Sequence, residues 1–308
     1  MTEEDLIKID IGLCTYRRAS LDETVRSLGA LAVPENVRLR IIIADNDITP
    51  SAAPRVEALR AEVPHELAYV HCPAGNISIA RNACLDNASG EFIAFIDDDE
   101  EASPIWIAEL LNVARKSGAA AVLGPVRSVY DGAAPLWMRE GDFHSTLPVW
   151  VKGEIVTGYT CNVLLKRTHP SLTGRRFNLA LGKSGGEDTE FFSHMHAAGG
   201  KIAYAEKAEV VEPVPQSRAA LSWLAKRRFR FGQTHGRLVA ERHAGIGRLP
   251  QIGLAAAKAA VCYAAALAFA PMPVKRNRYA LRGVMHSGVV SGLFGLRELT
   301  QYGTAEAT

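Results

Sequence analysis

Three consecutive aspartates, Asp97 to Asp99, follow an apolar run in the segment FIAFIDDDEE. Side chains two residues apart on a strand share a face, so Asp97 and Asp99 can converge on one ligand while Asp98 points elsewhere. Adjacent carboxylates repel one another, and a hard divalent cation relieves that repulsion and also binds phosphate oxygens. The segment therefore predicts a Mg2+ or Mn2+ site, and a solvated acidic turn before a helix is the alternative.

The elements that position these aspartates alternate between strand-like and helix-like patterns. The strand-like runs are 7–14, 40–44, 67–71, 91–96 and 119–123, and helical patterns cover 21–31, the region from Ser78 onward and 103–116. This alternation predicts a mostly parallel sheet covered by helices on both faces. In such sheets ligands bind beyond the carboxyl ends of the strands, which is where we expect Asp45 and Asp97 to Glu100 to lie. A stretch rich in Pro, Gly and Trp, residues 124–150, is expected to form an irregular loop.

The composition narrows the choice of partner and compartment. Among 308 residues, 35 Lys and Arg balance 33 Asp and Glu, and the net charge of +2 gives no reason to expect nucleic acid as a partner. The five cysteines are scattered without a C-x-x-C pair, as is typical of reduced cytoplasmic proteins. The N-terminal segment MTEEDLIKID is acidic and lacks the basic start of a signal peptide, so we expect a cytoplasmic protein.

Two enzyme classes that also place acidic residues after a strand do not fit. A P-loop requires G-x-x-x-x-G-K-S, but Phe177 stands where the first glycine belongs relative to Gly182. A phosphatase with an aspartate nucleophile carries that residue after its first strand, where this chain has CTYRR. The acidic cluster therefore needs another explanation.

Five segments occur in order along about the first 230 residues: IDIGLCTYRR, IIIADND, GNISIARNACLDNASGEFIAFIDDDE, TGYTCNV and GGEDTEFF. In this order they resemble the family 2 glycosyltransferases, and the bacterial exopolysaccharide enzymes in particular. The resemblance implies an α/β fold of the glycosyltransferase-A type, with a mostly parallel nucleotide-binding sheet flanked by helices and a helical C-terminal annex. It also implies inverting transfer of one sugar, glucose from a uridine diphosphate donor, to a lipid-linked carbohydrate acceptor. The Q-x-x-R-W segment of processive synthases is not found, which favours single-sugar transfer.

The resemblance assigns five residues to the nucleotide site. Thr15 and Tyr16 match the residues that touch the uridine, and Asp45 matches the acid that bonds the base. Arg81 and Asn82 match the segment that lines the nucleotide site, where a guanidinium can pair with carboxylate or phosphate. The alternatives are a packed aromatic for Tyr16, a turn residue for Asp45 and a solvated helix residue for Arg81.

The acidic motif of the family matches Asp97 to Asp99. The resemblance implies that Asp99 binds the metal directly, with Asp97 also near the metal, and that Asp97 or Asp98 contacts the ribose or metal-bound water. Two departures from the family pattern stand out. Arg17 occupies a usual Asn position, and Glu212 lies in the region where many relatives place a His near the metal, so a late metal contact stays open.

The transfer chemistry is assigned to the last two motifs. Asn162 and Glu187 are assigned positions beside the donor sugar and the acceptor. Glu187 and Asp188 match the family's Glu-Asp pair, whose aspartate is the catalytic base that takes the proton of the acceptor hydroxyl. A helix N-terminal cap is the alternative for the GGED segment, and one aspartate can serve both needs.

The C-terminal region differs in character from the rest. We expect a nucleotide-sugar-binding catalytic domain over residues 1–215 and a basic, Ala-rich helical region over residues 216–308. The segment 252–270 is about long enough to cross a bilayer, but its alanines and Lys258 weaken that interpretation. Basic and aromatic residues in 218–237 predict instead a peripheral contact with the cytoplasmic face of the inner membrane. A packed core helix is the alternative for the Ala-rich segment, and Arg227 to Arg230 could equally bind the acceptor or the diphosphate.

Two other functions stay open at this point. A sugar nucleotidyltransferase also uses a parallel sheet, a metal and carboxylates, but CTYRRAS lacks its glycine-rich phosphate loop. A non-catalytic scaffold subunit of a polysaccharide assembly would keep the fold, although a scaffold has no need for clustered aspartates.

Overall fold

The computed structural model describes residues 6–243 and 245–297, which divide into two compact units. The first unit contains residues 6–127 and 146–212, and the second contains residues 128–145 and the described residues from 213 onward. The strands are β1 Ile7–Thr15, β2 Val37–Asp45, β3 Glu66–His71, β4 Phe92–Asp97, β5 Glu101–Ala102, β6 Ala121–Leu123, β7 Val126–Val129, β8 Trp150–Val151, β9 Glu154–Ile155, β10 Asn162–Lys166, β11 Ile202–Tyr204 and β12 Val210–Pro213. The helices are α1 Leu21–Gly29, α2 Ala53–Leu59, α3 Ile77–Asn87, α4 Trp106–Ser117, α5 Leu136–Gly141, α6 Glu187–Ala197, α7 Leu221–Arg242, α8 Leu249–Ala268 and α9 Pro273–Leu293.

A seven-stranded sheet organises the first unit, in the order β11-β6-β10-β4-β1-β2-β3. Strand β10 runs antiparallel to both of its neighbours, and the other pairs are parallel. The expected mostly parallel sheet is therefore confirmed. Its strand register aligns Cys14 with Asp97 and Thr15 with Asp45, so the ends of β1, β2 and β4 lie at one edge.

Two apolar layers cover this sheet, and strand alternation separates them. Ile41 and Ile43 of β2 pack into one buried cluster, whereas Ile42 and Ala44 pack into the other. A strand that is buried on both faces has a continuous apolar run in its sequence, which is why residues 41–44, IIIA, are apolar without interruption. Each buried isoleucine contributes about 1.5–3 kcal/mol by leaving water, so the sheet provides a rigid support for the polar residues at its ends.

Residues 124–150 do not form the irregular loop that their composition predicts. They include the strand β7 and the helix α5, which begins directly after Pro135. Within the second unit, Met138 and Phe143 are buried in a cluster with Leu224 and Leu281. The prediction was wrong because these apolar side chains find a core to pack into, and the sequence pattern alone does not show that core.

The helices α7 and α9 of the second unit approach each other closely at glycines. A Cβ atom on Gly236 would lie 2.3 Å from the carbonyl oxygen of Val289, and one on Gly288 would lie 2.1 Å from that of Phe229. Any larger residue would therefore force the two backbones apart. Among the described residues, one helical stretch, Gly245–Ala268, is long and apolar enough to cross a membrane, and 17% of its apolar window is buried.

Candidate active site

The carboxyl edge of the sheet gathers the acidic residues that follow β4. The strand ends at Asp97, and Asp98 and Asp99 lie in the turn that follows it. Strand alternation therefore does not govern which way these two side chains point, and that part of the sequence argument was wrong. The side chain of Asp97 is 44% exposed. Asp98 is buried, with 8% of the whole residue exposed.

Crowding raises the pKa of two of these carboxyls. Burial, with a contribution from Asp99, raises the pKa of Asp98 to about 7, and Asp98 Oδ2 has no hydrogen-bond partner among the described residues. Burial also raises the pKa of Asp97 to about 6, with Asp99, Glu212 and Asp188 adding to the rise and Arg81 opposing it. Part of the Asp97 side chain is nevertheless open to solvent. Both groups would gain from a nearby cation.

Glu100 joins this cluster, although the sequence argument assigned it no role. It is 1% exposed, and its Oε2 accepts a hydrogen bond from the Asp97 amide at 2.9 Å. Possible ligand atoms of Asp97, Glu100 and Cys161 lie within 4.8 Å of one another. Burial raises the pKa of the Cys161 thiol and of Glu100 well above their usual ranges. Hard divalent cations prefer oxygen ligands to thiols, so the carboxylate oxygens are the atoms of this cluster that suit such a cation.

The guanidinium of Arg81 pairs with carboxylates of the protein. The Arg81 side chain is 9% exposed, and its guanidinium forms an ion pair with Glu187 and approaches Asp97 Oδ1 to 3.9 Å. Burial alone would lower the pKa of Arg81, but Glu187, Asp97 and Asp188 outweigh it and raise that pKa. The guanidinium also lies 5.7 Å from the ring centroid of Phe177. Arg81 therefore links α3 to the start of α6, and it is not the solvated helix residue of the alternative interpretation.

Asp188 lies in the first turn of α6, directly after the Arg81 partner Glu187. Gly185 and Gly186 have φ values of 86° and 89°, a backbone conformation that favours glycine. Gly186, rather than an aspartate, occupies the cap position of α6. Asp188 Oδ1 accepts a hydrogen bond from the amide of Thr189 at 2.6 Å. The two glycines thus turn the chain so that Asp188 comes close enough to Asp97 to raise its pKa.

The residues at the ends of β1 and β2 differ in accessibility. Thr15 is 3% exposed and Tyr16 is 46% exposed, so Tyr16 is not a packed aromatic. Asp45 is fully buried, and its carboxylate accepts hydrogen bonds from the amide of Ala52 at 2.9 Å and from the hydroxyl of Tyr69 at 2.8 Å. It therefore fixes the loop after β2, as the turn interpretation predicts, and its contact with a base stays a prediction.

Both asparagines use their side-chain amides for hydrogen bonds within the protein. Asn82 exchanges two hydrogen bonds with the backbone of Phe177, each 2.9 Å long. Asn162 is fully buried, accepts from the indole of Trp106 at 2.8 Å, and donates to the carbonyls of Pro125 and Ala208. These contacts place both residues as supports of the site, and contact with the nucleotide or the sugars stays a prediction.

Arginines line a small pocket beside the end of β1, a feature that the sequence argument missed. The pocket has a volume of about 250 Å³ and is lined by Thr15, Arg17, Arg18, Ala19, Ser51, Ala52 and Arg55. Arg17 has a φ of 55°, and its Nε donates to Asp47 Oδ2 at 2.9 Å. This hydrogen bond lowers the pKa of the buried Asp47 carboxyl to about 2. Asp47 lies in the segment IIIADND, directly after β2, and this position at a strand end could have indicated a role at the site.

Comparisons with known proteins identify the family and the fold. Residues 10–169 match the family described as Glycosyl transferase family 2. The chain is 62% identical over 304 residues to the Succinoglycan biosynthesis protein ExoM of Rhizobium meliloti (strain 1021), covering 99% of this chain and 98% of the relative. It is 24% identical over 247 residues to the Glucosyl-dolichyl phosphate glucuronosyltransferase of Haloferax volcanii, covering 72% and 74% of the two chains. S. aureus TarS 1-349, solved in complex with UDP-GlcNAc, has a TM-score of 0.55 at 15% identity and 98% coverage of each chain, which confirms the glycosyltransferase-A fold. The chain therefore belongs to glycosyl transferase family 2 and is a glycosyltransferase.

Proposed function

We propose that the protein transfers one sugar, glucose, from a uridine diphosphate donor to a carbohydrate acceptor in exopolysaccharide synthesis. Near full-length identity to a succinoglycan biosynthesis protein supports the biosynthetic class. Likeness to a structure that holds UDP-GlcNAc supports a nucleotide sugar as the donor. The observation that carries the proposal is the gathering of Asp97, Arg81, Glu187 and Asp188 at one edge of the sheet.

A divalent cation, Mg2+ or Mn2+, fits the acidic cluster. The neighbouring carboxylates of Asp99, Glu212 and Asp188 raise the pKa of Asp97, and the guanidinium of Arg81 lowers it. Asp99 and Asp97 are the proposed ligands, and Asp98 is proposed to accept a hydrogen bond from the ribose or from metal-bound water, because its buried Oδ2 lacks a donor within the described residues. When bound, the metal would neutralise charge on the departing diphosphate.

The donor is proposed to lie along the ends of β1 and β2. The exposed ring of Tyr16 offers a surface for the uridine beside Thr15. Asp45 would act by fixing the loop that receives the base, because its carboxylate already accepts hydrogen bonds from Ala52 and Tyr69. Asn82 and Asn162 are proposed to support the site through their backbone partners.

Asp188 is the proposed general base. It would accept the proton of the acceptor hydroxyl as that oxygen attacks the sugar carbon, on the side opposite the diphosphate, and this single displacement inverts the anomeric centre. The ion pair between Arg81 and Glu187 would hold the first turn of α6, and with it Asp188, in place. Proton transfer of this kind contributes roughly 10²- to 10⁴-fold to the rate.

The acceptor and the location complete the proposal. We assign catalysis to residues 1–215 and attachment to the cytoplasmic face of the inner membrane to residues 216–308, where a lipid-linked carbohydrate acceptor would lie. No nucleic acid partner is expected, because the net charge of the chain is only +2.

A donor-hydrolysis screen tests the proposal. The full chain is incubated with uridine and guanosine diphosphate sugars, with Mg2+, Mn2+ or chelator, and released nucleoside diphosphate is measured. Release from UDP-glucose that depends on the metal is the expected result. Thermal stabilisation by uridine diphosphate without turnover of any sugar donor would instead indicate a scaffold. Pyrophosphate formed from UTP and a sugar phosphate would indicate a nucleotidyltransferase.

A further inference from the structure

The helix α8 has an apolar outward face. Its inward positions Ala255 and Ala259 are buried, whereas Leu254, Val261 and Leu267 are 52%, 69% and 78% exposed. Among the twenty residues of α8, Lys258 is the one that carries a formal charge. A helix on the surface of a soluble protein normally places charged and polar residues on its outer face. The composition of this face therefore indicates an apolar partner.

The sequence around α8 is strongly basic. Residues 213–297 contain 14 of the 35 Lys and Arg and 1 of the 33 Asp and Glu of the chain. Arg248 directly precedes α8, and Lys275 follows it, with its Nζ 5.4 Å from the ring centroid of Phe269. An anionic lipid surface is complementary to this charge, whereas a second copy would bring the same positive charges together.

The packing of α8 against α9 indicates whether α8 lies on a bilayer or crosses it. A helix of this length spans about 30 Å, enough for the hydrocarbon core. However, α8 packs along α9: the hydroxyl of Tyr263 is 3.0 Å from Ser287 Oγ, and the ring of Phe269 stacks on that of Tyr279. Crossing would carry α9 into the hydrocarbon as well.

The helix α9 is unsuited to a hydrocarbon environment. Its first half carries four basic residues, Lys275, Arg276, Arg278 and Arg282. The helix α7, which meets α9 at Gly236 and Gly288, carries a further basic run, Lys226 to Arg228. Charged side chains inside a membrane are expensive, so the bundle cannot follow α8 across a bilayer at low cost. A helix that lies in the plane of the interface exposes only its outward face to lipid.

We infer that α8 lies in the plane of an anionic phospholipid bilayer, with Leu254, Val261 and Leu267 inserted below the headgroups and the surrounding Lys and Arg bound to them. This inference rests on the membrane attachment proposed above and names the surface that makes it. Insertion of apolar side chains and attraction to anionic headgroups act together, so neither neutral lipid nor charge alone supports full binding.

Flotation of the full chain with vesicles tests the inference. Vesicles of phosphatidylcholine alone are compared with vesicles that also contain phosphatidylglycerol, using wild type, Val261→Glu and Leu267→Glu. Val149→Glu is the matched control, because Val149 is 64% exposed in the first unit. Wild type and V149E are expected to float with the anionic vesicles, and both α8 variants to bind at least about tenfold more weakly. Alkaline carbonate is expected to release the bound wild type. Melting temperatures identify a variant that fails to fold, in which case the other α8 variant decides.

Three results would overturn the inference. Flotation of the folded α8 variants at the wild-type level would show that another surface binds lipid. Retention of wild type in the membrane after carbonate would indicate a span, and sedimentation as a dimer that the Val261 change dissociates would indicate a second copy as partner. Donor hydrolysis in vesicle-free buffer is measured in parallel. Its absence in wild type would contradict the proposed function, whereas flotation tests α8 alone.

Discussion

The two compact units place their charges and their small residues in different ways. In the first unit, carboxylates gather at one sheet edge, where Asp98 and Glu100 are buried with raised pKa values. In residues 213–297, which belong to the second unit, a single acidic residue accompanies 14 basic ones, and glycines bring α7 and α9 together. Buried charges are costly for a fold, so the first unit keeps an arrangement that serves chemistry at the expense of stability. The excess of basic residues in the second unit is typical of a surface that binds an anionic partner.

Asp188→Asn is expected to have the largest effect and to act on the first unit alone. The amide keeps the shape of the carboxylate but cannot accept a proton, so transfer should fall roughly 10²- to 10⁴-fold while donor affinity is retained. Turnover and calorimetric titration with uridine diphosphate and Mn2+ check both parts. Asp131→Asn, in the second unit, is the control. Transfer by D188N within a few-fold of wild type would remove Asp188 from the role of base.

Arg81→Met is expected to destabilise the protein by about 3–5 kcal/mol, because it leaves Glu187 buried without its partner. The matched control is Arg55→Met, which removes an ion pair with Asp22 at the surface and should cost at most about 1 kcal/mol. Urea unfolding measures both changes. Adding Glu187→Gln to the Arg81 variant should restore part of the loss, and strict additivity of the two changes would contradict the coupling.

Asp99→Ala sharpens the assignment of the acidic cluster. We expect about a hundredfold loss of affinity for uridine diphosphate in Mn2+, because removal of a proposed ligand would weaken binding of the metal that would neutralise the diphosphate. Affinity in the presence of chelator should change little. Glu101→Ala, an exposed neighbour in β5, serves as the control. Equal affinity of D99A and wild type in Mn2+ would exclude Asp99 as a ligand.

The smallest expected effects concern two helical glycines of the second unit. Gly236→Ala should destabilise the protein by about 1–3 kcal/mol, because the added methyl would meet the Val289 carbonyl. Gly253→Ala in α8 should stabilise it by about 0.4–1 kcal/mol, since a Cβ there meets no described atom within 4 Å. Thermal unfolding of both variants is the measurement. Stability of the Gly236 variant at or above the wild-type level would show that close packing of α7 and α9 does not control stability.

Much of the first unit follows from local sequence patterns. The runs 7–14, 40–44 and 91–96 correspond to β1, β2 and β4, because apolar residues on both strand faces are specified by burial in a covered sheet. The helix near Ser78 begins at Ile77, since Asn76 Oδ1 accepts the amide hydrogen of Ser78 at 3.1 Å. The loop prediction for residues 124–150 was wrong because the ordered structure of this segment depends on partners distant in sequence.

The sequence by itself determined the family, the sheet and the identity of the acidic residues, because those depend on residue types in a fixed order and on apolar periodicity. Only the tertiary structure decided how those residues are used. It paired Arg81 with Glu187, which lies 106 positions away, and it brought Glu100 and Cys161 beside Asp97. It also packed α8 against α9, so that one face of an apolar helix is covered and the other stays exposed. Contacts between residues far apart in the chain leave no periodicity in a single sequence, and they had to be read from the folded chain.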